Sequence, residues 1–146
     1  MTHPPISADT TVRIGTIEVR YLMDGTRSGE SGLFEMRLPP QAHVPPAHSH
    51  ADAEEMLFVL EGTLRHTVDG VVRDLGPGDT AFTPRGGVQG FSNPFGEAVR
   101  TLTVVTPDIG VQYLRVLAQV VNAGSPPDRA SLVEIVTRHG MEPALL

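Results

Sequence analysis

Two histidines and one glutamate form the part of the sequence best suited to chemistry. His48 and His50 are two positions apart within Pro45–Gly62 (PPAHSHADAEEMLFVLEG), so on an extended strand both imidazoles point to the same face. Glu55 follows five positions after His50, and a neighbouring antiparallel strand could return its carboxylate to the pair. Two imidazoles and a carboxylate form a facial ligand set that leaves coordination positions open for substrate or oxygen. The pattern predicts a divalent transition-metal site, although a His pair alone is also common on ordinary protein surfaces.

The composition excludes several other chemistries. The 146-residue chain has no Cys and no Trp, and its 11 basic residues are all Arg because it has no Lys. A Lys Schiff base, a Cys nucleophile, a disulfide framework and a thiolate or iron–sulfur site are therefore excluded. With 17 acidic residues the formal net charge is -6, which argues against nucleic acid or an anionic membrane as a partner.

Short apolar runs separated by Gly and Pro predict the strands that must position these residues. The runs are Val12–Tyr21, Gly32–Leu38, Met56–Leu60, Thr63–Val68, Val71–Leu75, Thr80–Thr83 and Arg100–Val105. Asp69-Gly70, between two of these runs, predicts a tight hairpin, because a type I′ turn needs two residues that tolerate positive φ. Many short strands at close spacing favour an all-β sandwich or closed barrel over alternating strands and helices.

The pattern changes after Pro107. Val111–Val121 has apolar residues at helical spacing, and a second helix is expected from an Asp128 cap to about His139. We therefore expect one domain over residues 1–146, with a barrel core at about 10–106 and a helical tail at about 108–146. The longest apolar run is far shorter than the ~20 residues that span a bilayer, and no secretory signal pattern is present, so a cytoplasmic location is expected.

The histidine segment resembles the first motif of the cupin superfamily. In that motif His-x-His is followed by three or four residues, Glu, six residues and Gly, matched here by His48, His50, Glu55 and Gly62. The second cupin motif is matched by Gly78, Pro84-Arg85-Gly86 and Asn93. The resemblance spans residues 41–93 and implies that the barrel is a double-stranded β-helix, or jelly roll. It also implies a bound Fe, Mn, Ni, Zn or Cu ion.

Gln89 departs from this resemblance. The second motif normally carries its fourth metal ligand, a His, at this position. Three interpretations follow. Gln89 binds the metal through its amide oxygen, it positions substrate or water beside a three-ligand metal, or the barrel binds its ligand without metal.

Further residues are candidates for the ligand site. His66 shares a strand face with Leu64 and Val68, so it either packs in the barrel or acts there as an acid–base group. Arg85 either meets an anionic substrate or is an exposed turn residue. Three phenylalanines are expected in the core, where one of them, Phe91, would also line the substrate site; the other two are Phe58 and Phe82.

The helical tail narrows the resemblance within the superfamily. Pro127-Asp128, Leu132–Ile135 and His139-Gly140 resemble the tails of small quercetinase-like dioxygenases. This implies a metal-dependent dioxygenase acting on a small organic molecule, with Glu55 accepting a substrate proton. The alternatives are a non-redox isomerase, cyclase or lyase, in which Glu55 or His66 moves a proton, and a non-catalytic small-molecule-binding barrel. Small cupins often dimerise, so a homodimer is also expected.

Overall fold

Antiparallel strands make up most of the chain. The computed structural model describes residues 11–25, 31–42, 48–50, 52–108, 110–123, 129–138 and 141–143. Within these ranges the strands are β1 (Thr11–Ile14), β2 (Ile17–Met23), β3 (Gly32–Leu38), β4 (His48–His50), β5 (Glu54–Glu61), β6 (Leu64–Val68), β7 (Val71–Leu75), β8 (Thr80–Thr83), β9 (Val88–Ser92), β10 (Val99–Thr106) and β11 (Met141–Pro143). The helices are α1 (Val111–Val121) and α2 (Arg129–Arg138).

The strands form two sheets that enclose the core. A six-stranded sheet has the order β1-β2-β3-β10-β5-β8, and a five-stranded sheet has the order β11-β4-β9-β6-β7. The chain crosses from one sheet to the other between β4 and β5, so these two strands belong to opposite sheets. The predicted all-β barrel with two C-terminal helices is confirmed.

Period-two alternation decides which side chains face the core. In β3, Phe34, Met36 and Leu38 are buried, as the sequence predicts. In β10, the inward positions include Thr101 and Thr103. Because successive side chains on a strand point to opposite faces, the intervening residues of both strands are only half-buried or exposed.

The run Val12–Tyr21 was expected to be one strand, and this expectation is wrong. The structure divides it into β1 and β2, which pair with each other through a turn at Gly15 and Thr16. Gly15 has φ of 61°, a conformation that glycine adopts without steric cost. The buried positions accordingly change phase at the turn, from Val12 and Ile14 to Ile17 and Val19.

The predicted hairpin at Asp69-Gly70 is confirmed. Asp69 and Gly70 have φ of 48° and 81°, and β6 and β7 pair in register on either side of them. Both central residues thus have the positive φ that a type I′ turn needs.

Phe58 and Phe82 were expected in the core, and this expectation is wrong. Their side chains are 40% and 52% exposed on the outer face of the six-stranded sheet. The inward positions of β5 and β8 are taken instead by smaller residues, among them Leu57 and Ala81. An apolar residue type alone does not tell the inner face from the outer one.

The C-terminal helices follow the barrel. Helix α1 has the predicted bounds and packs on β1 and α2. Helix α2 begins and ends inside its predicted range, whose cap Asp128 and terminal His139 lie outside the described residues. Over the part of the chain that the structure describes, no helix is long and apolar enough to span a membrane. The expected cytoplasmic location and homodimer stay predictions.

Candidate metal and ligand site

Strands from both sheets bring three of the predicted metal-site residues together inside the barrel. His50 ends β4 and Glu55 lies near the start of β5, and both side chains are buried. The Nε2 atom of His50 is 3.6 Å from the Oε2 atom of Glu55. Gln89 on β9 is buried beside them, and its backbone position pairs with that of His48 on β4. The side chain of His48 lies outside the described residues.

The Gln89 amide connects the two sheets. Its Nε2 donates a hydrogen bond to Oε2 of Glu55, and its Oε1 accepts one from the Thr83 hydroxyl at 2.9 Å. Glu55 and Thr83 are register partners on β5 and β8 of the six-stranded sheet, whereas Gln89 belongs to the five-stranded sheet. Both ends of the Gln89 amide therefore make hydrogen bonds, and the Glu55 carboxylate is held by a residue of the other sheet.

The described donor atoms fit part of a transition-metal site. Ligand atoms about 2.0–2.2 Å from one ion lie about 3–3.6 Å apart, and the His50–Glu55 distance of 3.6 Å is at the upper end of that range. Among the described side chains, no three His, Cys, Asp or Glu residues form a metal-binding group. The third ligand that the sequence predicts is His48, whose side chain is outside the described part of the structure. The carbonyl oxygen of Gln89 accepts a hydrogen bond from Thr83, and the roles of Gln89 toward a metal stay predictions.

His66 lies inside the barrel beside this group. Its imidazole stacks on Phe91 with ring centroids 5.2 Å apart, and its side chain is buried. Burial lowers the pKa of His66, and the nearby Arg73 lowers it further, while Glu55 and Gln89 act in the opposite direction. The imidazole is therefore neutral at pH 7 and able to accept a proton.

An apolar cavity of about 60 Å³ adjoins Glu55. Its walls come from β1, β2, β3 and α1 and from the site itself, through Ile14, Ile17, Val19, Phe34, Met36, Glu55, Phe91, Tyr113, Leu114 and Leu117. Phe91 thus lines the space beside the site. Arg85 is exposed in the turn between β8 and β9 and is not among the described lining residues, so its role toward substrate stays a prediction.

Sequence reasoning missed two residues of this region. Thr83 is the last residue of β8, and no motif marks it as part of the site. Tyr113 lies in the first turn of α1. Tyr113 is buried, and burial together with the Glu55 carboxylate raises its pKa. Its position next to Leu114 and Leu117 on the apolar face of α1 is the sequence signal that could have placed it at the barrel.

Comparison with known proteins agrees with this architecture. Residues 34–105 match the family model described as Cupin domain. This part of the chain matches the cupin family on a barrel of cupin fold. It contains His50, Glu55 and Gln89, whereas α1 and Tyr113 lie outside the matched residues. No curated protein matches the sequence.

Solved structures with the same fold include three cupin-like proteins. KdgF from a Halomonas species is 14% identical with a TM-score of 0.63, over 73% of this chain and 96% of that one. A predicted oxalate decarboxylase from Thermotoga maritima is 22% identical with a TM-score of 0.59, over 63% and 81% of the two chains. A sugar phosphate isomerase from a cupin superfamily, from Silicibacter pomeroyi, is 26% identical with a TM-score of 0.59, over 72% and 76%. These likenesses show the fold that the sequence predicts.

Proposed function

We propose that the cupin domain binds a divalent transition metal and acts as a dioxygenase on a small, mostly apolar molecule with an acidic hydroxyl or enol group. The metal ligands would be His48, His50 and Glu55. The observation that carries the proposal is the position of Glu55. Its carboxylate lies beside His50, accepts a hydrogen bond from Gln89 and lines an apolar cavity.

The bound metal, an Fe, Mn, Ni, Zn or Cu ion, would supply open coordination positions for the substrate oxygen and for molecular oxygen. The protein would supply the proton chemistry. Glu55 is close enough to the cavity to accept the hydroxyl proton of a bound molecule, and the hydrogen bond from Gln89 keeps its carboxylate from rotating. His66 would be the second acceptor, because burial keeps its imidazole neutral.

The charge of the cavity supports an uncharged substrate. Among the described lining residues, Glu55 is the one ionisable acid and no Arg or His is present. Apart from the proposed metal ion, the described lining offers no cation to an anionic group, and a second anionic group would lose its hydration there at a cost in free energy. A molecule whose single acidic hydroxyl or enol oxygen meets the metal, and which is neutral elsewhere, therefore fits the lining better than one with several charges.

A second candidate function is a metal-dependent isomerase, cyclase or lyase without oxygen chemistry. Two proton acceptors, Glu55 and His66, are buried in the barrel interior, and both interact with Gln89. A proton taken from one carbon or oxygen of the substrate could be returned at another position. This reaction needs the same metal ligands, so oxygen consumption separates it from the first candidate.

Metal analysis and oxygen uptake test the proposal together. The purified protein should contain a transition metal, and His48→Ala and Glu55→Ala should each lose it. Metal-free protein reloaded with Fe(II), Mn(II) or Ni(II) should then consume oxygen with acetylacetone, a small diketone, and much less with quercetin, a flavonol too large for the cavity.

Each negative result would contradict a different part of the proposal. Unchanged metal content in both alanine variants would contradict the metal site. Metal binding without oxygen uptake from any diketone or flavonol would contradict the dioxygenase and favour the proton-transfer reaction. Arg37→Ala, which alters an exposed residue on the outer face of β3, is a matched control that should leave metal content unchanged.

A further inference from the structure

Helix α1 closes the cavity that adjoins Glu55. It contributes Tyr113, Leu114 and Leu117 to a lining that also includes residues of β1, β2 and β3. These three side chains are buried although they lie outside residues 34–105, the part that matches the cupin domain. One wall of the cavity is therefore formed by α1, which lies outside the residues that match the cupin domain.

Hydrogen bonds hold α1 at both ends. Before the helix, the Asp108 carboxylate accepts hydrogen bonds from the Tyr21 hydroxyl at 2.8 Å and from the Gly25 and Gly110 backbone N–H groups at 2.9 and 3.1 Å. After the helix, the Asn122 side chain accepts a hydrogen bond from the backbone N–H of Gly15 at 2.7 Å. Helix α1 is thus fixed relative to the barrel. The volume of the cavity beside it therefore limits the size of a bound molecule.

The volume sets the size of a ligand. A water molecule needs about 10–15 Å³ of cavity volume, so a cavity of about 60 Å³ is suited to a small molecule rather than to one with several rings. A molecule of this size would contact the apolar side chains on nearly all sides.

Tyr113 brings a phenol to the wall of that apolar space. It is buried and lines the cavity together with Glu55. A tyrosine phenol is neutral at pH 7, and a neutral phenol donates to carbonyl, hydroxyl or enol oxygens. Tyr113 and Glu55 would face the polar end of a bound molecule, a donor and an acceptor in otherwise apolar surroundings.

We propose that Tyr113 is a positioning and specificity residue that donates a hydrogen bond to the oxygen of a small neutral ketone or enol held between α1 and the barrel. This inference deepens the proposed function and rests on it for the reaction, but binding of the neutral molecule does not require the metal. Leu117 on the same helix face limits the size of the molecule.

Binding to the protein before and after chelator treatment tests this site. The probes are cyclopentanone and methylenecyclopentane, which have nearly the same shape, but only the first has an oxygen that accepts a hydrogen bond. Ligand-observed NMR titration gives the dissociation constants. Tyr113→Phe should weaken cyclopentanone binding about tenfold, the effect of losing one hydrogen bond, and should leave methylenecyclopentane binding unchanged. Gln119→Ala, at an exposed position of the same helix, should change neither.

The size limit has its own test. Leu117→Ala should allow cyclooctanone to bind, whereas the unaltered protein should not bind it, and thermal melting shows that each variant is folded. The proposal is overturned if Tyr113→Phe leaves cyclopentanone affinity unchanged, if it weakens both probes equally, or if neither probe binds the unaltered protein. These results do not depend on metal content, so they are distinguishable from failure of the His48, His50 and Glu55 metal site.

Discussion

The side-chain amide of Gln89 donates a hydrogen bond to the Glu55 carboxylate, joining two residues that are 34 positions apart in the sequence and lie on opposite sheets. Thr83 donates to the other end of the same amide. Because the amide is held at both ends, it fixes the position and the rotation of the carboxylate. Gln89, which departs from the metal-ligand pattern of the cupin motif, thereby orients Glu55, which matches that pattern.

Replacing Gln89 with Ala should lower the free energy of unfolding by about 1–3 kcal/mol, because a buried carboxylate loses a donor and the Thr83 hydroxyl loses its acceptor. Urea denaturation followed by circular dichroism measures this change. The matched control is Gln119→Ala, at an exposed position of α1, which should stay within about 0.5 kcal/mol of the unaltered protein. Equal losses in both variants would contradict a structural role for the Gln89 amide.

Two substitutions of Gln89 should change the metal affinity in opposite directions. Gln89→Ala should weaken metal binding about tenfold or more, since loss of a group that orients a ligand has effects of this size. Gln89→His should strengthen it, because an imidazole at this position would add a better donor than a neutral amide. Competition with a chromophoric chelator measures both affinities. If neither substitution changes the affinity, position 89 does not act on the ion.

The sequence was sufficient for most of the β-strand pattern and for bringing His50, Glu55 and Gln89 to one place in the barrel. The hairpin at Asp69-Gly70 and helix Val111–Val121 follow from local chemistry, namely tolerance of positive φ and apolar residues at helical spacing. The proximity of His50 and Glu55 followed from motif spacing. Local patterns and motif spacing depend on short segments of the chain, so they can be recognised in a single sequence.

Strand β9 was missed because of Gln89. Its inward positions are Gln89 and Phe91, and a polar residue on the buried face breaks the alternation that marks a strand. Such departures are expected at functional positions. The part played by Tyr113 was missed for another reason, because it depends on where α1 packs against the barrel, and helical spacing does not specify that.

Asn122→Ala should loosen α1. The Asn122 side chain accepts a hydrogen bond from the backbone N–H of Gly15 at 2.7 Å and donates one to the carbonyl of Arg13 at 2.8 Å. Losing both should cost about 1–2 kcal/mol and should speed amide hydrogen exchange in α1 more than in β3 or β10. Hydrogen exchange measured by NMR checks this. Unchanged exchange in α1 would mean that packing alone holds the helix.

The two tyrosines predict how stability changes at high pH. Tyr21 and Tyr113 are the only tyrosines in the chain, and burial raises the pKa of both, with further contributions from Asp108 for Tyr21 and from Glu55 for Tyr113. In the unfolded chain both would lose a proton near pH 10. Above that pH the folded state therefore binds more protons than the unfolded state, and the free energy of unfolding falls as the pH rises.

Tyrosinate absorbance should consequently appear only as the protein unfolds. A titration to high pH followed by near-ultraviolet absorbance and by far-ultraviolet circular dichroism should give coincident curves, undisturbed by Trp, which the chain lacks. Tyr113→Phe and Tyr21→Phe should each remove about half of the absorbance change, because each removes one of the two ionising groups. Tyrosinate absorbance near pH 10 in a protein that is still folded would show that one phenol is open to solvent, contrary to the buried positions of both rings.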